Sequence, residues 1–470
     1  MADIVGYEER DPAVLGAMRA GYPRFALHPL VRALIEAATP QARTGEQIWP
    51  LLSARAAGAL VQHLGEGRVF EADKVVFVAH RADPALAQRA KLWLQHTGGL
   101  LSSRGAEDAL VRRGQLPAVA PERIFPGDAA AEVRRVLGPL FAAPPQNLVL
   151  AASGMGAVHA AFRAIGTDQA ARGRTAWVQL GWLYLDTIAL LRKFTADPAR
   201  DHLVQLDVTD LAALERLFAG HGPRIAGIIT EIPTNPLLQT GDLAAVAALA
   251  WEHGARVIAD PSMVSPFNAD VLPHADVVTF SLTKYASHAG DVMAGAAVVN
   301  PARPGAEALR SALPAQLDAP YPRDLARLAA EIGSAPDVVA PINRSTPRVA
   351  DFLSRHPAVE RVWWSLQDET AAHYRRLARG PDACGAVISF TLRRPLTEFY
   401  DRLALAKGPS FGMSTTLLCP YVYLAHYDLL PGRSDGQELA RAGLAPELVR
   451  LSIGTEPVEE ILAALAAALD

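Results

Sequence analysis

The stretch Asp276-Val277-Val278-Thr279-Phe280-Ser281-Leu282-Thr283-Lys284-Tyr285 decides how the rest of this chain is read. Val277 to Phe280 is a short apolar run bounded by polar residues, the pattern of a sheet strand covered on both faces. It runs out into a polar turn that carries one lysine. An amine at the mouth of such a strand is partly desolvated, which lowers its pKa and frees its lone pair for Schiff-base chemistry. A lysine that snorkels to the surface is the commoner fate of the residue. Ser281 and Thr283 set this one apart. Both are small hydroxyl donors suited to a phosphate or a cofactor, and they leave room around the amine.

On either side of that strand, short apolar runs alternate with helical patterns. Strands are expected at 147–150, 176–180, 203–206, 225–230, 256–259, 277–280 and 296–299. Helices are expected at 157–165, 185–192, 211–218 and 243–253. This alternation indicates βαβ units and a mainly parallel sheet, in which ligands bind at the carboxyl ends of the strands.

Several of the strand ends carry residues with chemical use. Ser153-Gly154-Met155-Gly156 joins a strand to a helix, where free amides and close-approaching glycines make a phosphate cradle. A plain βα turn uses the same residues. Asp260 ends an apolar run, and an aspartate is costly to bury there without a partner. A helix cap or a loop acid is the alternative. Glu231-Ile232-Pro233-Thr234-Asn235-Pro236 follows another strand and also reads as a proline-rich turn. Trp182 and Tyr184 offer rings near the site, although core packing explains either one alone.

The flanking regions are less regular. Residues 1–125 form an extended N-terminal region, with helices expected at 30–38 and over much of 44–64. A strand is expected at 74–78, and a helix opens at Asp83-Pro84, an N-cap followed by a first-turn proline, and breaks at Gly98-Gly99. Another helix is expected at 106–111. Residues 126–334 hold the α/β domain, with Pro301 to Pro322 as a crossing segment, and residues 335–470 a smaller α+β domain. Helices are expected there at 346–354, 396–405 and 458–469, and strands at 386–392 and 449–453.

The chain has 470 residues, half of them apolar and a fifth charged, which is an ordinary globular balance. A net charge of −4 points to neither nucleic acid nor an anionic membrane. Two cysteines, Cys384 and Cys419, suit a reducing compartment and make no CxxC pattern, so no metal site is expected. No signal-like segment or long apolar span is evident, and the expectation is a soluble cytoplasmic protein.

Taken together these motifs resemble the Cys/Met-metabolism family of pyridoxal-phosphate (PLP) enzymes, the cystathionine gamma-synthase and gamma-lyase group. The Ser-x-Thr-Lys-Tyr core, with Asp291 and Gly295 downstream, matches the lysine motif. His288-Ala289 stands where the family has Gly-His. Gly6-Tyr7-Glu8-Glu9, Gly21-Tyr22-Pro23-Arg24-Phe25 and Gln95-His96-Thr97-Gly98 followed by Ser102-Ser103-Arg104 look like the fungal-type cystathionine gamma-synthase branch.

The resemblance implies an aminotransferase-like (fold type I) α/β architecture and PLP held by Lys284, with Asp260 facing the ring nitrogen. It implies Ser153, Gly154, Met155, Ser281 and Thr283 around the cofactor, Asn235 and Ser262 near its ring, and Trp182 or Tyr184 in place of a stacking tyrosine that has become Leu180. It implies Arg450 and Ser410 at the substrate carboxylate. Tyr22 and Arg24, or else Arg104, stand for the family's Tyr-x-Arg that reaches a neighbouring subunit's phosphate. The implied reaction is γ-replacement of an O-acyl-L-homoserine by a thiol such as cysteine, in a homodimer or homotetramer with shared sites. Alternatives are a γ- or β-elimination of a sulfur amino acid, and a non-catalytic α/β binding protein.

Overall fold

A computed structural model describes residues 1–18 and 26–470. Its strands fall into three sheets. The first, near the N-terminus, contains β1 (Glu46–Leu51), β2 (Arg68–Ala72) and β3 (Val75–Arg81) in the antiparallel order β1-β3-β2. The expectation of helix through residues 44–64 is therefore corrected. Only Ala54–Leu64 is helical, capped by the Ser53 hydroxyl, which accepts from the Ala56 amide. Pro50 interrupts a helical reading of the first half, and pairing with β3 makes it a strand. The helix Pro84–Thr97 follows its signals closely: Asp83 caps it, and Gly98 ends it at φ +75°.

The central sheet is built from β4 (Leu148–Ala151), β5 (Ala176–Leu180), β6 (His202–Gln205), β7 (Ile225–Glu231), β8 (Arg256–Asp260), β9 (Val277–Ser281) and β10 (Gly295–Val299). Their order is β4-β10-β9-β8-β7-β5-β6, and β10 alone runs antiparallel to its neighbours. The mainly parallel α/β sheet expected from the alternating pattern is thus present. Its strands are mostly apolar because both faces are covered, with Gln179 and Thr279 as buried exceptions. Val278 and Phe280 pack into one helical layer, and Val277 into the other.

The third sheet holds β11 (Val359–Trp364), β12 (Val387–Leu392), β13 (Ala406–Lys407), β14 (Leu417–Pro420) and β15 (Val449–Ser452), in the order β11-β12-β15-β14-β13. Three of these strands escaped the sequence reading. The helix expected at 346–354 is the end of a longer one, Ala335–Arg355, which carries Pro341 and Pro347 inside it. The stretch read as a crossing, Pro301 to Pro322, contains the helix Ala306–Ala312, and the helix Pro322–Ile332 begins at its end. Among the described residues no helix is long and apolar enough to cross a membrane.

Candidate active site

The carboxyl ends of β4, β7, β8 and β9 converge on one cavity of about 150 Å³. Ser153 leaves β4 and caps the helix Gly154–Ala170, its hydroxyl accepting from the Gly156 amide at 2.9 Å. The backbone here is packed too closely for side chains. A Cβ on Gly154 would lie 3.0 Å from that of Ser281, and one on Gly98 would lie 2.2 Å from Ser153 Oγ. The glycines let amides at a helix N-terminus approach an anionic group, which is what a phosphate cradle needs.

Lys284 lines the cavity, with Nζ 3.1 Å from Ser410 Oγ and 4.8 Å from the centre of the Phe411 ring. Asp260 accepts from the Ser262 amide at 2.7 Å, and the Ser262 hydroxyl accepts from the Ser281 amide at 2.9 Å. These bonds tie the ends of β8 and β9 together. Burial pushes the Asp260 carboxyl up to about 6. A carboxyl desolvated in this way favours a cationic neighbour, as a protonated pyridine nitrogen would be. Thr283 also lines the cavity, but its hydroxyl is committed to Ala294, accepting from its amide and donating to its carbonyl.

Arg450, on β15, reaches in from the third sheet and is buried. Its Nη1 donates to Asn235 Oδ1 at 3.0 Å, and its Nη2 to the Pro409 carbonyl. The guanidinium lies 5.1 Å from the Phe411 ring centre and 5.4 Å from that of Tyr421. An arginine carries five N–H groups, so donors remain for a carboxylate.

Of the residues named from sequence, Ser153, Gly154, Met155, Tyr184, Asn235, Asp260, Ser262, Ser281, Thr283, Lys284, Ser410 and Arg450 all line this cavity. Two lie elsewhere. Trp182 is buried behind the wall, where its indole N–H donates to His426 Nε2 at 3.3 Å, so of the two rings Tyr184 is the one in reach. Arg104 is held among Glu122, Asp291 and Asp324 at 2.8–3.1 Å inside its own chain, and it is not a lining residue. Tyr22 and Arg24 lie outside the described residues.

The sequence reading missed several polar members, Thr187 and Tyr421 among them, and three of these bear on the geometry. Glu231 ends β7 and accepts from the Tyr184 amide at 2.5 Å. Burial and the neighbouring Asp260 charge hold its carboxyl well above the usual range. Its position at the head of the Glu-Ile-Pro-Thr-Asn-Pro stretch was the available signal. Gln95 and Asp186 form the third and second: Gln95 Nε2 donates to Asp186 Oδ1 at 2.6 Å across two helices. Gln95 opens the Gln95-His96-Thr97-Gly98 stretch, which was the available signal for it, whereas Asp186 carries no motif that marks it.

A cradle at a helix N-terminus, a lysine in a partly closed cavity and a desolvated aspartate are the parts a pyridoxal-phosphate site requires, and the residues present fit that group. The model of the Cys/Met metabolism PLP-dependent enzymes matches residues 140–470, and the chain belongs to that family. Over 97% of its length it is 41% identical to 92% of the L-2-amino-4-chloropent-4-enoate dechlorinase/desaturase of Streptantibioticus cattleyicolor. Over 67% of its length it is 32% identical to the cystathionine gamma-synthase of Neurospora crassa, about half of which (51%) is covered. The fold is shared with cystathionine gamma synthase from Xanthomonas oryzae pv. oryzae in complex with aminoacrylate and cysteine. That match has a TM-score of 0.60 and 24% identity, covering 73% of this chain and 86% of that one. The protein is a PLP-dependent enzyme of sulfur amino-acid metabolism by family.

Proposed function

We propose that the enzyme expels an anionic substituent from the γ-carbon of a small amino acid held by its α-carboxylate. The charge inventory of the cavity carries this reading. Among the described lining residues the cations are Lys284 and Arg450. The guanidinium takes one carboxylate, and the amine holds the cofactor. Among the described residues no lining cation is left for the second zwitterion that replacement by cysteine brings in. Met155, Met293, Leu424 and Ala425 make part of the wall apolar, suited to an uncharged side chain. The S. cattleyicolor relative supports the same reading, since its name puts chlorine on carbon 4, the γ-carbon, of an amino acid.

Bound pyridoxal phosphate supplies an electron sink that makes the α- and β-carbon protons acidic. Arg450 orients the amino acid by its carboxylate. Lys284 Nζ takes the proton from the α-carbon and moves the one from the β-carbon, with the Ser410 hydroxyl beside it to meet the change in charge. Asp260 holds a proton on the ring nitrogen. Loss of a proton from the β-carbon, and of the substituent with its bonding pair from the γ-carbon, raises the order of the bond between them by one.

The second reading is γ-replacement of an O-acyl-L-homoserine by a thiol, favoured by the N. crassa relative. The test is to supply the holoenzyme with L-2-amino-4-chloropent-4-enoate or O-acetyl-L-homoserine, with and without cysteine. Anion release that does not need thiol supports elimination. Release only with cysteine, in step with thioether formation, assigns replacement. No release and no yellow cofactor absorbance would sink both.

A further inference from the structure

A second cleft, of about 370 Å³, lies behind the first cavity. Its floor is aromatic. The ring of His63 lies 6.3 Å from Trp93 and 6.4 Å from Phe194, and His159 meets Phe194 edge-on at 5.3 Å. Its rim is cationic. Arg55 is paired with Asp318, so its charge is offset. Arg163 is exposed at the rim and has no acidic partner among the described residues. Lys193 Nζ stands 5.9 Å from the Phe194 ring centre. Burial pushes both imidazoles toward neutrality, His159 to about 3, and the charges acting on them are positive: Lys193 and Arg89 on His63, Arg163 and Arg55 on His159. A positive field over an aromatic floor selects an aromatic anion.

Three helices join this cleft to the catalytic cavity. Pro84–Thr97 gives Leu94 and Gln95 to the cavity, and Trp93 and Thr97 to the cleft. Gly154–Ala170 gives Met155 and Val158 to one, His159 and Arg163 to the other. Leu185–Phe194 starts at the cavity with Leu185 and Asp186, and ends in the cleft with Phe194. A ligand that shifts Pro84–Thr97 or Gly154–Ala170 shifts the cofactor cradle, because Gly98 is packed against Ser153.

We infer that this cleft is an effector site for a flat aromatic anion, with its ring on the Trp93–Phe194 floor and its charge against Arg163. The inference needs the cofactor but not the γ-elimination reading. Its test is a titration of the holoenzyme with 2-naphthoate, followed by tryptophan fluorescence and by the visible cofactor band. 2-Naphthylmethanol serves as the uncharged control and inorganic phosphate as the ring-free one. The expected result is saturable quenching with a cofactor-band change at the same midpoint, and binding of either control about tenfold weaker or less. Arg163→Glu should weaken naphthoate about tenfold, and Arg163→Lys should keep most of the affinity. Lack of saturation, an unchanged affinity in Arg163→Glu, or a cofactor band that stays still as the cleft fills would each overturn it. Binding at Arg450 instead would show as insensitivity to Arg163→Glu.

Discussion

Glu231 and Asp260 stand in register at the carboxyl ends of two adjacent parallel strands. Their surroundings pull them toward different protonation states. Glu231 is desolvated and sits beside the Asp260 charge, so its carboxyl is held well above its ordinary pKa. Asp260 is raised only to about 6, because the Ser262 side chain and amide support its anion. Two neighbouring carboxylates with separated pKa values divide the work: one holds its proton, and the other keeps a negative charge.

Asp260→Asn should stabilise the cofactor-free protein increasingly as pH rises. An acid whose pKa is raised on folding, here from 3.8 to about 6, contributes stability in full below about pH 4 and loses it as pH rises through about 6. Two units correspond to roughly 3 kcal/mol. Urea melts at pH 4 and pH 7 measure the difference. An equal wild-type-to-variant gap at both pH values would contradict the burial of this carboxyl.

Lys284→Ala should lose the absorbance of covalently held cofactor and lower turnover by at least about 10²–10⁴-fold. Absorbance that survives denaturant in the variant would place the attachment on another residue.

Arg450→Ala should raise KM for the amino acid by about 10–100-fold, the loss expected for hydrogen bonds to a charged group. The matching decarboxylated amine should bind wild type and variant alike. If the variant weakens the amine as much as the amino acid, Arg450 acts through Asn235 and Pro409 rather than through the carboxylate.

Gly98→Ala should destabilise the fold by about 1–3 kcal/mol and weaken cofactor retention. The new methyl group meets a positive φ and the Ser153 hydroxyl together. Equilibrium dialysis of the cofactor and a thermal melt check the two parts. Full retention with a lowered Tm would confine the effect to the helix end.

Glu231→Gln should keep the Tyr184 amide satisfied and leave cofactor retention near wild type. Glu231→Ala removes the acceptor and should cost about 1–3 kcal/mol. Comparing the two by urea melt separates the hydrogen bond from the charge, since a protonated glutamate and a glutamine present the same acceptor.

The amino-acid sequence by itself determined the central sheet. Mostly apolar runs such as Val277 to Phe280, bounded by polar turns, place its seven strands within a residue or two, because a strand covered on both faces carries few polar positions to obscure it. Local signals likewise set the helix that begins after Asp83, and the strand ends that bear Lys284, Asp260 and the Ser153 turn. Tertiary structure decided what depends on distant partners. Glu46–Leu51 is a strand because Val75–Arg81 lies alongside it. Trp182 faces away from the cavity because His426 receives its N–H from 244 positions along the chain. Arg104 has the right spacing for an anion, but Asp291 and Asp324 meet its guanidinium first, from 187 and 220 residues away. Propensity and periodicity act over a few residues, whereas the direction of a side chain and the partner of a charge are settled only when remote segments pack.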